Sequence, residues 1–133
     1  MEISAIVKSS DSSHEVAVRT DAASRPLDIP AKPSGSGSAV NGGEFLMLAL
    51  ATCYCNDLYR EAARLHIALE SVEVEATADF VGIGLAAENI RYRAKVVAPS
   101  ASAAAVAELL RQTDAVAEVH NTVRAGVPVR LLQ

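Results

Sequence analysis

Apolar and polar positions alternate most strictly over Val72-Glu73-Val74-Glu75-Ala76-Thr77-Ala78-Asp79-Phe80, where the even positions are apolar. A period of two predicts a half-buried strand. Residues 90–97 repeat the pattern, with Ile90, Tyr92, Ala94 and Val96 on one face and Arg91, Arg93 and Lys95 on the other. A glycine-containing turn over residues 81–87 joins the two segments, which predicts an antiparallel hairpin. Its outer face sets Glu73, Glu75 and Asp79 against Arg91, Arg93 and Lys95, ordinary solvated sheet chemistry worth roughly 0.2–1 kcal/mol per cross-strand pair. Weaker alternation over residues 3–8 and 14–20, around the polar turn Ser9-Ser10-Asp11-Ser12-Ser13, predicts two further strands.

Between those strands and the hairpin the period changes. Residues 21–43 carry Pro26, Pro30, Pro33 and the run Ser34-Gly35-Ser36-Gly37-Ser38, and predict one long loop, either a mobile connector or a functional segment. A helix is predicted from Asn41 or Gly42 to about Leu65, with Asn41 as its N-cap and Glu44 as an acid in its first turn. Its apolar stripe is Leu48, Ala51, Cys55, Leu58, Ala62 and Leu65, at three- and four-residue steps. A second helix follows Pro99, over Ala103 to about Gln112, capped by Ser100 or Ser102. A short helix or turn then runs through Ala115 to Val123, Gly126 ends it, and Val127, Val129 and Leu131 predict a last strand, at a sheet edge because of Pro128. The order β-β, helix, β-β, helix, β is that of an α+β fold with helices on a mainly antiparallel sheet.

At 133 residues the chain is read as one domain over residues 1–133, and 50% hydrophobic residues exclude disorder over most of it. A net charge of −4, 4% aromatics and no tryptophan argue against nucleic acid and anionic membranes as partners. Met1-Glu2-Ile3-Ser4 lacks the basic start of a signal peptide, and the apolar stretch over residues 45–55 is too short to span a bilayer. Cys53 and Cys55 lie two apart on the predicted helix, about 200° around it, so they cannot bond each other. A reduced, cytoplasmic chain is expected.

Candidate chemistry centres on that helix. The stripe through Cys55 stays apolar, so Cys55 is read as a small core residue. A second stripe, Leu46, Ala49 or Leu50, Cys53, Asn56 or Asp57, Arg60 and Arg64, turns from apolar to charged where Cys53 sits. Cys53 is therefore either an inert buried thiol or the reactive one. Asp57 would oppose its thiolate, so activation needs an arginine from elsewhere, with Arg19, Arg25 and Arg124 as candidates. His120-Asn121-Thr122 places three polar side chains in an apolar segment, either as local caps or as part of a site. His14, His66, His120 and two divergent cysteines make no zinc-type spacing, so no metal is expected. No phosphate loop, nucleophile elbow or paired-carboxylate motif is present, and no cofactor is called for.

Asn41-Gly42-Gly43-Glu44-Phe45-Leu46, followed by Ala49-Leu50-Ala51-Thr52-Cys53-Tyr54, resembles the cysteine helix of the OsmC/Ohr family, the osmotically inducible protein C and organic hydroperoxide resistance proteins. Val72-Glu73-Val74 and Ala117-Glu118-Val119-His120-Asn121-Thr122-Val123 resemble later parts of it. The resemblance implies an OsmC-like fold, with antiparallel sheets around a central buried helix, in an intertwined homodimer. It also implies a thiol-dependent peroxidase acting on a small hydrophobic peroxide or electrophile, with Cys53 attacking and Arg19, or Arg25 behind it, as the polarising arginine. The family's glutamate position falls on Gly43, with Glu44 beside it, and its resolving cysteine falls on Ala117. With no third cysteine in the chain, peroxidase activity would run on Cys53 alone with an external thiol reductant, His120 standing close by. The alternative is a non-catalytic ligand-binding or structural dimer in which Cys53 is residual.

Overall fold

The computed structural model describes residues 1–133, as two compact units that divide after Phe45. The first unit holds three strands, β1 (Ile3–Ser9), β2 (His14–Thr20) and β3 (Ala23–Leu27), in one antiparallel sheet of order β1-β2-β3. The first two match the alternation in the sequence. β3 corrects the single loop expected over residues 21–43. Asp21 turns the chain at φ 49°, donating its backbone N–H to the Glu2 carbonyl and accepting the Glu2 N–H on its carboxylate, both at 2.8 Å. Thr20 then pairs with Ala23, and Pro26 is tolerated because β3 is an edge strand.

Residues 28–41 remain irregular but are ordered by backbone bonds. The Lys32 N–H reaches the Gly37 carbonyl at 3.0 Å, the Ala39 N–H reaches the Pro30 carbonyl at 2.9 Å, and Ala31 bridges Ser38. Gly37, at φ 104°, supplies a backbone conformation that a side chain would strain. The segment ends in a reciprocal cap. Asn41 Oδ1 accepts the Glu44 N–H at 2.9 Å, and Glu44 Oε2 accepts the Asn41 N–H at 2.8 Å, a capping box that satisfies two otherwise orphaned donors.

That box starts α1 (Gly42–Arg64), most of which belongs to the second unit. There follow β4 (Ser71–Asp79) and β5 (Glu88–Val97), paired antiparallel, then α2 (Ala103–Val116) and α3 (Glu118–Ala125). The register bears out the charge pattern: Glu73 faces Lys95, Glu75 faces Arg93, and across a bulge Arg91 reaches Asp79 at 3.7 Å. Ser102 is the cap of α2, accepting the Ala105 N–H at 3.1 Å, and α2 runs four residues beyond the expected Gln112. Gly126 closes α3 in the left-handed conformation.

The core of the second unit is Tyr54, Leu58, Ala62, Leu109 and Ala117, with Val72, Val74, Tyr92, Ala94 and Val96 of the hairpin packed against it. The buried face of α1 therefore differs from the expected stripe. It runs through Leu50, Tyr54, Asp57, Leu58, Glu61 and Ala62, leaving Leu48 57% exposed and Cys55 half-buried. Tyr54 sets this rotation: its hydroxyl donates to the Leu110 carbonyl at 2.7 Å and its ring lies edge-on to Tyr92. Asp57 and Glu61 can be buried because Arg60 and Arg64 pair with them at 2.8 and 2.7 Å. The last expected strand does not form. Residues 127–133 pair with no neighbour, Pro128 lacks a ladder donor, and Val129 stands 99% exposed.

Candidate functional site

The second unit brings two groups of chemistry-bearing side chains into contact with α1. The first surrounds Cys53, which is half-buried and one helical turn before Asp57. The thiol lies 3.5 Å from Asp57 Oδ2, to which it donates. Glu118, at the first position of α3, contributes a second carboxylate, and ligand atoms of Cys53, Asp57 and Glu118 all lie within 4.8 Å of one another. Arg60 bridges the acids, 2.8 Å from Asp57 and 3.9 Å from Glu118. Burial, opposed by the Val119 backbone amide and reinforced by Asp57 and Glu118, pushes the Cys53 thiol above its ordinary pKa. The arrangement holds the sulfur protonated at neutral pH. A divalent cation could use the same three donors only by displacing Arg60 from two of them.

The second group is built on His120, one turn inside α3. Its ring is 97% buried by its 3% exposure, packed 4.4 Å from the Tyr92 ring centroid and 5.7 Å from that of Tyr54. The Tyr92 hydroxyl donates to Asp114, which also receives Arg124 at 2.5 Å. Arg124 and the Tyr92 hydroxyl hold the Asp114 carboxyl below the usual range. Burial, with a minor push from Asp114, raises the Tyr54 phenol to about 12. Asn121 and Thr122 act locally, on the Ala115 carbonyl at 3.1 Å and the Glu118 carbonyl at 2.7 Å. His120 alone of the three has no partner on either ring nitrogen.

Burial and Arg124 lower the His120 pKa, against weaker opposing pulls from Asp114 and Asp57. The folded state thus binds the imidazole proton less tightly than the unfolded chain does. Stability should be unaffected by this group above the unfolded value of about 6.5 and fall as pH drops from there toward the folded pKa. Urea midpoints measured from pH 7.5 to pH 5 should show that decline in the wild type and a flatter profile in His120→Leu. Parallel profiles would remove His120 as the cause.

Of the residues singled out from the sequence, the structure places Cys53 and His120 in the second unit, with Cys53 against the start of the helix that carries His120. Arg19, Arg25 and Glu44 belong to the first unit. Arg19 donates to Glu2 at 2.7 Å and to Ser4 at 3.2 Å, Arg25 sits opposite Val18 on the edge strand, and the Glu44 carboxylate is committed to its cap. Arg124, a candidate cation for Cys53, is engaged by Asp114. Sequence reasoning missed Glu118 and Asp114. Their only signal was proximity in sequence to His120 and to the end of α2.

The OsmC-like protein family model matches residues 35–132. No curated protein matches the sequence. Among solved structures, an OsmC-like protein from Mycoplasma pneumoniae is similar with a TM-score of 0.66 at 17% identity, covering 92% of this chain and 86% of that one. An organic hydroperoxide resistance protein from Elizabethkingia anophelis is similar with a TM-score of 0.63 at 17% identity, covering 98% of this chain and 94% of its own. An OsmC-like protein of unknown function from Vibrio cholerae follows with a TM-score of 0.62 at 18% identity, over 92% and 93% of the two chains. At these identities the structures speak for the α+β fold, and with the family match over most of its length the chain belongs to the OsmC-like family.

Proposed function

We propose that this OsmC-like chain works as a homodimer that binds a small molecule, with Cys53 kept as a slow, protonated thiol. The observation that carries this reading is the Cys53–Asp57 contact at 3.5 Å, with Glu118 completing an acidic surround. A peroxidatic sulfur attacks as thiolate, and two carboxylates beside it oppose that form. Ala117 occupies the position that resembles the family's resolving cysteine, so no internal disulfide can follow oxidation. Exposed Leu48 and Tyr59 on α1 support a second copy as the partner, which light scattering checks directly. No helix is long and apolar enough to cross a membrane, and two free cysteines fit a reducing cytoplasm.

The second reading is a one-cysteine peroxidase in oxidative-stress defence, and the half-buried, reachable position of Cys53 favours it. There the thiolate takes the terminal oxygen of an organic hydroperoxide, giving a sulfenic acid and an alcohol. An external dithiol then returns the sulfur to its reduced state, leaving water and a disulfide. Arg19, or Arg25, would have to supply the cation. Peroxide consumption with cumene and tert-butyl hydroperoxide, in dithiothreitol or a dihydrolipoyl donor, separates the readings. We expect equal rates for wild type and Cys53→Ser and no trapped sulfenic acid at Cys53. A thiol-dependent rate present only in the wild type would establish the peroxidase instead.

A further inference from the structure

We infer that α3 is an acid-released latch over Cys53: when His120 takes up a proton, the helix comes off α1 and uncovers the thiol. The attachment of α3 rests on one side chain. Of residues 118–125 only His120 is buried, at 3% exposure, with its ring centroid 4.4 Å from that of Tyr92 and 5.7 Å from that of Tyr54. The other ties lie at the surface: Arg124 on Asp114 at 2.5 Å, Asn121 on the Ala115 carbonyl at 3.1 Å, and Arg60 near Glu118 at 3.9 Å. Exposed pairs of this kind hold little. On either side the chain gives no support, because Ala117 is extended at φ −73° and ψ 101° between the two helices and residues 127–133 pair with no neighbour. A helix of eight residues freed from its packing does not persist in water. Its release therefore also dissolves the first turn, where Glu118 lies within 4.8 Å of the Cys53 sulfur and the Val119 amide stands beside it.

The surroundings of the ring set the response. α1 presents Tyr54 and Asp57 to it, β5 presents Tyr92, α2 presents Asp114, and α3 itself carries Arg124. Neither ring nitrogen has a hydrogen-bond partner or reaches solvent. Both phenols are committed elsewhere, Tyr54 to the Leu110 carbonyl at 2.7 Å and Tyr92 to Asp114. An imidazolium in this place would bury two N–H donors without an acceptor, next to the Arg124 guanidinium. Asp114 is already shared by Arg124 and Tyr92, and Asp57 is paired with Arg60, so the two acids offset that cost only weakly. A proton cannot reach a sealed nitrogen, so uptake and opening are one event: acid leaves the closed state alone and stabilises the open one. With the released imidazole titrating near its ordinary value of about 6.5, the ratio of open to closed rises about tenfold from pH 7.5 to pH 5.5.

This adds regulation to the reading of Cys53 as a guarded thiol and rests on it, yet the two fail separately, because neither a ligand nor peroxide enters the test. Amide exchange of the full chain is followed residue by residue at pH 7.5 and pH 5.5, corrected for the intrinsic effect of pH, with and without about 1 M urea. The amides of residues 121–125 should be less protected than those of Tyr54 and Leu58 and should not respond to the urea, as local opening requires. Their protection should fall about tenfold between the two pH values. His120→Phe takes up no proton and should abolish that fall; His120→Gln serves if phenylalanine does not fit. In a Cys55→Ser background, the reaction of Cys53 with a dithiodipyridine, taken relative to the urea-unfolded chain at the same pH, should rise with acid in the wild type and stay level in His120→Phe. The proposal is overturned if residues 121–125 exchange only by global unfolding and share the urea response of α1. It is overturned as well if the acid response survives in the histidine variants, or if α3 opens with no change at Cys53. A thiol-dependent peroxidase rate at Cys53 would unseat the earlier reading and leave the exchange result standing.

Discussion

Asp57→Asn, made in a Cys55→Ser background, should raise the rate at which Cys53 is alkylated at neutral pH and move the midpoint of the rate–pH curve downward. Burial is the largest cause of the raised Cys53 pKa and persists in the variant, but the carboxylate that accepts the thiol at 3.5 Å is removed. Asparagine keeps the shape and can still meet the sulfur. Arg60 is also released: its closest partner at 2.8 Å is gone, leaving Glu61 at 3.4 Å and Glu118 at 3.9 Å. Both changes favour the thiolate. Each unit by which the midpoint falls raises the thiolate fraction about tenfold and lowers its intrinsic nucleophilicity about threefold, for a net gain of about threefold per unit. Iodoacetamide kinetics between pH 6 and pH 10 measure it, and a midpoint unmoved from wild type would mean that Asp57 does not set the thiol. The same variant offers the peroxidase reading its best opportunity. If restoring a thiolate at Cys53 does not produce hydroperoxide consumption, more than electrostatics has been lost at this site.

The elements that the sequence disclosed were those whose periodicity is enforced by a core within reach. β4, β5 and the start of α1 could be placed because alternation, a capping pair and a charge ladder each state the same local answer. The strand at Ala23–Leu27 was hidden because its pairing depends on a turn at Asp21, and its proline and polar residues carry no period. Val127, Val129 and Leu131 alternate just as a strand should, yet alternation makes a strand only where another backbone completes its ladder, and residues 127–133 have none. The site was half-legible. A change of character along one helix stripe pointed to Cys53, and the conflict with Asp57 followed from helical spacing alone. Glu118, Asp114 and the orphaned state of His120 depend on how α2 and α3 pack on α1, and no local pattern encodes that. The rotation of α1 has the same origin: Tyr54 and two ion-paired acids took buried places that a polarity scale assigns to Leu48 and Cys55.

The largest loss of stability is expected from Leu109→Ala, about 2–5 kcal/mol and toward the upper end of that range. Leu109 is fully buried in the cluster with Tyr54, Leu58, Ala62 and Ala117. Two of those neighbours are alanines with nothing to extend into the space, and Tyr54 is tied by its hydroxyl to Leu110, so the cavity cannot collapse. Thr113→Val is the contrast. Thr113 is as deeply buried, but its hydroxyl donates back to the Leu109 carbonyl at 2.8 Å within the same helix, and valine keeps the volume. That change removes one hydrogen bond and no packing, for about 1 kcal/mol. Urea unfolding of both variants, with m-values compared, separates the two cases, and a Leu109→Ala cost no larger than that of Thr113→Val would contradict the core described above. The truncation also bears on the site. Ala117 packs in the same cluster and immediately precedes Glu118, Val119 and His120, so a cavity at Leu109 loosens the attachment of α3 to α1. Cys53 in the still-folded Leu109→Ala protein should then be alkylated faster than in wild type, because the acids that hold its proton no longer sit at a fixed distance.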